Sequence, residues 1–273
     1  MEMRAVCLVA LISLTACSGE VATSPASVAP AVPVFLPIEV STPAELIAKG
    51  DRLSVVLGCR DCHAPDMTGQ IYEDDSNFAV IYGSNLTWTV ADYDDDQLAQ
   101  AIRAGVRSDG SPLWRMPSEM LQHLGDADME AVLAYLNTLT PQGDRRPSVM
   151  LGPDGTAAVA AGSLRSTPER VAEYAETTPA DYGPDFEFGR YIVTVSCTEC
   201  HGPALAGTDM APSLDVIANY SRAEFAHLIE TGESNSGVPL GLMAQVARNS
   251  FSQLTDAERD AVYDYLTARA NRD

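Results

Sequence analysis

Residues 59–63 read CRDCH, and residues 197–201 read CTECH. Three chemistries use two thiols at this spacing. Zinc needs four ligands, and two cysteines with a histidine supply only three. A redox dithiol sits on a strand-and-helix scaffold and has no need of the adjacent histidine. Haem c uses every residue of the motif: both thiols form thioethers with the vinyl groups, and the histidine becomes the proximal iron ligand. Two copies of the motif therefore predict two covalent haems, held by Cys59 and Cys62 with His63, and by Cys197 and Cys200 with His201.

The other two of the six cysteines lie at the N-terminus. Arg4 precedes an apolar run from Ala5 to Ala16 that is too short to span a bilayer as a helix and reads as a secretory signal. Leu14-Thr15-Ala16-Cys17 resembles the bacterial lipobox, which implies a signal over residues 1–16 that carries Cys7 away and a lipid on Cys17. Residues 17–43 hold five prolines among Ser, Ala and Val, the composition of an extended tether. These features place the folded part on the periplasmic side of the envelope, anchored to a membrane by lipid. No cysteine remains for a structural disulfide, although an exported chain could form one.

At 273 residues and 46% apolar, the chain can bury two cores. With 17 basic against 38 acidic residues, its net charge of -21 repels phosphate backbones and excludes nucleic acid as a partner. The acidic runs EDD, residues 73–75, and DYDDD, residues 92–96, read as a solvated loop and a helix N-terminus, and as a docking surface for a basic partner.

The surroundings of the two motifs repeat in one order, the mark of an internal duplication. An amphipathic helix comes first, over residues 44–57 and 186–195, with Gly50 and Gly189 set where another helix can approach closely. After the motif, a loop region leads to helices over residues 94–105 and 221–232. A methionine-bearing loop follows, and then a closing helix over residues 126–139 and 255–270. Val132, Tyr135 and Leu136 are matched by Val262, Tyr265 and Leu266. No pair of alternating strands stands out, so the predicted fold is mainly α, with three or four helices per unit and long loops. Loops of that length need a large apolar group to fill the core. Residues 141–183 read as an inter-domain linker with one short helix, TPERVAEYAE.

An iron closed by a sixth ligand carries electrons, whereas an open one binds small molecules or does peroxide chemistry. The candidates are Met116, Met120, Met129 and His123 in the first unit, and Met210, Met243 and His227 in the second. Of these, Met129 and Met210 read as packing residues, and both histidines as ordinary surface or core residues. Trp88 and Trp114 read as packing against the haem or the core.

With RMPSEM at residues 115–120 and LGLMAQ at residues 240–245, the chain resembles the class I cytochromes c, and in particular the cytochrome subunits of bacterial membrane-associated dehydrogenases. That resemblance covers residues 44–140 and 184–270. It implies tandem class I cytochrome c domains over residues 44–140 and 184–273, with Met116, followed by Pro117, and Met243 as the distal ligands. Ala211-Pro212-Ser213-Leu214 resembles the family loop whose proline carbonyl accepts the proximal histidine's Nδ1–H, while the first unit has Gly83-Ser84-Asn85-Leu86 there.

The reading is a dihaem electron carrier with no catalysis of its own. It would serve a dehydrogenase, a soluble cytochrome or a terminal oxidase as a redox partner. A catalytic dihaem enzyme, a peroxidase or thiosulfate-oxidising protein, is the alternative, but such enzymes replace one methionine and this chain offers one in each unit. A gas sensor would need an output region, and none is visible.

Overall fold

Thr42 starts the first helix. Its hydroxyl accepts from the Glu45 N–H at 3.2 Å, the Glu45 carboxylate accepts the Thr42 N–H at 2.9 Å, and Pro43 lies in the first turn. Helix α1 (Pro43–Val56) leads through a left-handed Gly58 into α2 (Cys59–His63), which is the first motif itself. Strands β1 (Ile71–Asp75) and β2 (Ala79–Tyr82) form an antiparallel hairpin, and α3 (Leu86–Asp92), α4 (Asp95–Ala104), α5 (Ser118–Leu121) and α6 (Asp126–Leu136) complete the unit. The computed structural model describes residues 1, 33–36, 39–147 and 149–272. The signal, Cys17 and the tether up to residue 32 lie outside the described residues.

The second unit repeats the plan with α9 (Glu187–Ser196), α10 (Thr198–His201), α11 (Arg222–Thr231), α12 (Leu242–Asn249) and α13 (Asp256–Ala270). In this unit Thr255 and Glu258 make the capping box that the sequence predicts. The first and last helices pack as close pairs in both units. A Cβ on Gly50 would lie 1.8 Å from the Ala131 carbonyl oxygen, and one on Gly189 would lie 2.0 Å from that of Ala261. Tyr135 and Tyr265 flank the two contacts at the same remove, 2.8 Å from each added Cβ.

Two expectations need correction. There are more helices than three or four per unit, because α2, α3, α5 and α10 are too short to leave a period in the sequence. There is also a sheet: β3 (Met150–Leu151) pairs with β2, so the hairpin becomes three-stranded in the order β1-β2-β3. EDD thus lies on an exposed strand, not in a loop, and Glu73 pairs with Arg115 at 3.5 Å. DYDDD behaves as read, with Asp94 capping α4 and Asp95 and Asp96 in its first turn.

The stretch between the units is largely structured. Besides β3 it forms α7 (Pro153–Ala160) and α8 (Thr167–Tyr174), the latter being the short helix expected there, opened by a Ser166–Glu169 capping box. Both elements belong to the first unit's surface: Gly155 of α7 lies against the Phe78 carbonyl, and α8 against α5.

The two units join through reciprocal contacts. Tyr191, two residues after Gly189, donates its hydroxyl to Asp128 of the first unit at 2.6 Å and accepts the Gly125 N–H at 3.1 Å. Arg52, two residues after Gly50, donates to Glu258 of the second unit at 2.8 Å and 3.0 Å. Asp128 and Glu258 hold the same position in the first turn of α6 and α13, and both are fully buried. Lys49 completes the first cluster, 2.7 Å from Asp128.

Residues 33–36 thread this junction. Phe35 donates its N–H to Asp128 at 3.0 Å and Leu36 donates its own to Glu258 at 2.9 Å, so consecutive amides satisfy one buried carboxylate from each unit. The Phe35 ring has 0% exposure and meets Tyr191 with centroids 5.6 Å apart. The end of the expected tether is therefore part of the fold. Tyr191→Phe removes a donor to a buried charge and should cost about 1–3 kcal/mol, read as a lowered midpoint in urea unfolding.

Candidate functional site

Helix α2 sets Cys59, Cys62 and the buried His63 along a cavity of about 820 Å³. His63 is buried, and its Nδ1 lies 2.8 Å from the Ser84 carbonyl oxygen. A carbonyl only accepts, so Nδ1 carries the proton and the Nε2 lone pair is left for a metal. Burial also lowers the imidazole pKa, opposed by that bond, and favours the neutral, ligating form. The family loop's proline is not needed here, because the accepting group is backbone. The loop can run this close because residue 83 is glycine: a Cβ there would fall 1.8 Å from the Cys62 carbonyl oxygen.

In the second unit α10 holds the equivalent histidine. His201 is buried, burial lowers its pKa, and its Nδ1 lies 2.7 Å from the Pro212 carbonyl oxygen, as the resemblance implies. Pro212-Ser213-Leu214 and Ser84-Asn85-Leu86 thus do the same thing, each followed by a capped helical segment.

All four cysteines are free and half-buried. Burial pushes Cys59, Cys197 and Cys200 up to about 11 and Cys62 up to about 12. Thiols that stay protonated near neutrality are poor redox dithiols, whose attacking cysteine is acidified. Among the described residues, no three His, Cys, Asp or Glu side chains gather to hold a metal ion, so the zinc alternative lacks its remaining ligands. Paired thiols, a pre-oriented imidazole and an apolar cavity lined by Leu57, Leu86, Leu98, Ile102 and Leu136 fit covalent haem.

Met116 lines the cavity from the segment before α5, half-buried against the core, with Pro117 after it. Its carbonyl is held from outside the repeat: Thr167 donates its hydroxyl at 3.2 Å and Arg170 its guanidinium at 3.1 Å, while Arg170 also pairs with Glu119 at 3.0 Å. Both donors are on α8, so the supposed linker buttresses the methionine segment. Sequence reasoning missed these two residues, and it missed the Ser84 carbonyl, which carries no side-chain signature at all.

Met120 also lines the cavity, from α5, with 3% exposure, and Met129 is core on α6, as expected. In the second unit Met243 is half-buried against the apolar core, in the first turn of α12 and not in a loop. Met210 is not a packing residue. It is 67% exposed, because Thr208 turns its segment by accepting the Met210 N–H and donating to the Cys200 carbonyl. His123 faces a small cleft with Tyr174, Thr194 and Thr198, and His227 is exposed and 3.2 Å from Glu233. Trp88 and Trp114 line the large cavity, consistent with packing.

The cavity does not stop at the first unit. Cys200, Ser196, Met210 and Leu242 of the second unit also line it, so cysteines of both motifs border one space. The first motif helix touches the end of α12 across the junction: Asp61 accepts from Ser250 at 3.2 Å and from Asn249 at 3.4 Å.

Comparison with known proteins agrees with this geometry. Residues 47–140 match the family model described as cytochrome c, and residues 184–266 match that of cytochrome c oxidase, cbb3-type, subunit III. The chain is 27% identical over 252 residues to the fructose dehydrogenase cytochrome subunit of Gluconobacter japonicus, covering 81% of this chain and 52% of that protein. It is 25% identical over 263 residues to the cytochrome c subunit of the quinone alcohol dehydrogenase of Gluconacetobacter polyoxogenes, covering 81% and 55%. A third relative is one of the nicotinate dehydrogenase subunits of Pseudomonas putida, 25% identical over 280 residues, covering 86% of this chain and 22% of that protein. The chain spans about half the length of the first two relatives.

Proposed function

Given a chain made of two class I cytochrome c domains in tandem, similar to the cytochrome subunits of membrane dehydrogenases, we propose that it is the dihaem electron-transfer subunit or partner of such a dehydrogenase. Cys59 and Cys62 hold one haem c and Cys197 and Cys200 the other. His63 with Met116, and His201 with Met243, would be the residues that ligate the two irons. Haem c, when bound in this way, supplies a one-electron iron couple of raised potential.

The protein's own residues do the rest. The Ser84 and Pro212 carbonyls fix the imidazoles, Thr167 and Arg170 hold the Met116 segment, and the apolar walls exclude water. The observation that carries the proposal is the matched pair of Nδ1-to-carbonyl bonds, 2.8 Å and 2.7 Å, which prepares each motif histidine for iron. A catalytic dihaem enzyme is disfavoured, since both units offer a methionine as well.

Because Cys62 and Cys200 border one cavity, the two motifs would hold their haems beside one shared space. Donor and acceptor are then a dehydrogenase on one side and a soluble cytochrome or terminal oxidase on the other, and a net charge of -21 suits a basic docking surface. Location on the periplasmic side, tethered through a lipid on Cys17, rests on the signal and lipobox pattern. Among the described residues, no helix is long and apolar enough to cross a membrane.

The test is mass mapping with rapid kinetics. Peptide mapping should find haem on both motifs and diacylglycerol on Cys17, and stopped-flow mixing with the cognate dehydrogenase and its substrate should reduce both haems. Peroxidase turnover without any partner would overturn the carrier reading.

A further inference from the structure

The first unit is followed by a short segment that does not run off into solvent. Asn85 donates its side-chain amide to the carbonyls of Gln142, at 2.8 Å, and Asp144, at 3.0 Å. Thr87 accepts the Gln142 N–H at 3.1 Å, and Trp88 donates its indole N–H to the Gly143 carbonyl at 3.0 Å. Arg145 then lies over the Trp88 ring, 4.5 Å from its centroid, and pairs with Asp92. The segment is thus pinned beside the cavity, and Trp88, Asp92, Arg145 and Arg146 all line it.

Arg146 is unlike its neighbours. Among the described residues it is the one arginine with no ion pair, hydrogen bond or ring contact, in a chain carrying 38 carboxylates against 17 basic residues. Asp92, the nearby acid on the cavity wall, is already taken by Arg145. A cation held beside a cavity with no protein anion to meet it is placed for an anion on the ligand, and haem carries two propionate carboxylates.

We infer that Arg146 pairs with a propionate of the haem borne by Cys59 and Cys62, and that this contact raises the potential of that haem alone. The inference rests on the first unit holding haem, as proposed above. An arginine beside the propionate offsets negative charge near the iron and so favours the reduced state. Arg272, just after α13 of the second unit, is by contrast held by Asp215 at 2.9 Å.

The test is a potentiometric titration of the full-length holoprotein, with resonance Raman of the propionate bending bands. Arg146→Gln should move the redox equilibrium of one haem about threefold toward the oxidised form, the size of a partly exposed ion pair. Arg146→Glu should move it further in the same direction, and Arg146→Lys should recover most of the loss. One propionate band should shift in Arg146→Gln, and the other haem should keep its potential. Unchanged potentials and bands in both the Gln and Glu variants would overturn the pairing, as would equal shifts in both haems. Peptide mass mapping of the wild-type protein separates the two readings: no haem on Cys59 and Cys62 would overturn the first unit's haem assignment as well.

Discussion

Gly50→Ala is expected to destabilise the haem-loaded protein by at least about 3 kcal/mol, with Gly189→Ala close behind. On helix propensity alone the sign would be opposite, because replacing a mid-helix glycine with alanine gains about 1 kcal/mol. The added methyl, however, would sit 1.8 Å from the Ala131 carbonyl oxygen at residue 50 and 2.0 Å from the Ala261 carbonyl oxygen at residue 189. The obstacle is helical backbone, which cannot step aside as a side chain can, so α1 must move off α6, or α9 off α13. Separation of α1 and α6 also displaces the Asp128 cluster, since Lys49 lies next to Gly50. Denaturant unfolding of the two variants measures this. A midpoint equal to or above that of the wild type would mean that the pair has room to spread.

Met116→Ala is expected to remove the methionine-to-iron near-infrared band of one haem, and Met243→Ala that of the other. In each case the potential of the affected haem should fall by a sizeable part of the ~0.8 V range that axial ligands span. The partner haem should keep its band, because each methionine is carried by its own unit. Persistence of the whole band in Met116→Ala would give the ligand role to Met120, which lines the same cavity from α5.

What could be read from the sequence follows from what leaves a pattern. The motifs are chemically specific in themselves, and α1, α4, α6, α9, α11 and α13 are long enough to show a helical period, so the duplicated frame and its cysteines and histidines were legible. Gly50 and Gly189 could be read as close-approach points because a glycine inside an otherwise good helix demands a reason.

The sheet was not legible. β2 has four residues, β1 is exposed and acidic, and β3 has two residues that lie far along the chain. The support of Met116 by Thr167 and Arg170 was hidden for another reason. It spans some fifty positions and uses a segment whose composition resembles a linker. Ser84 was hidden because the acceptor is a main-chain carbonyl, which any residue can supply once Gly83 lets the loop through. For the same reason the missing proline in the first unit does not cost its histidine a partner.

The crossed contacts of Arg52 with Glu258 and of Tyr191 with Asp128 carry a historical consequence. A surface on which one position meets a second, while the copy of the second meets the copy of the first, is the self-complementary interface of a two-fold homodimer. A single ancestral unit pairing with another copy of itself would already have possessed both contacts. Fusion of two such units would make the pairing independent of concentration and let the two halves drift apart, arginine from tyrosine and aspartate from glutamate. The same junction seats the segment around Phe35, whose consecutive amides meet one carboxylate from each half.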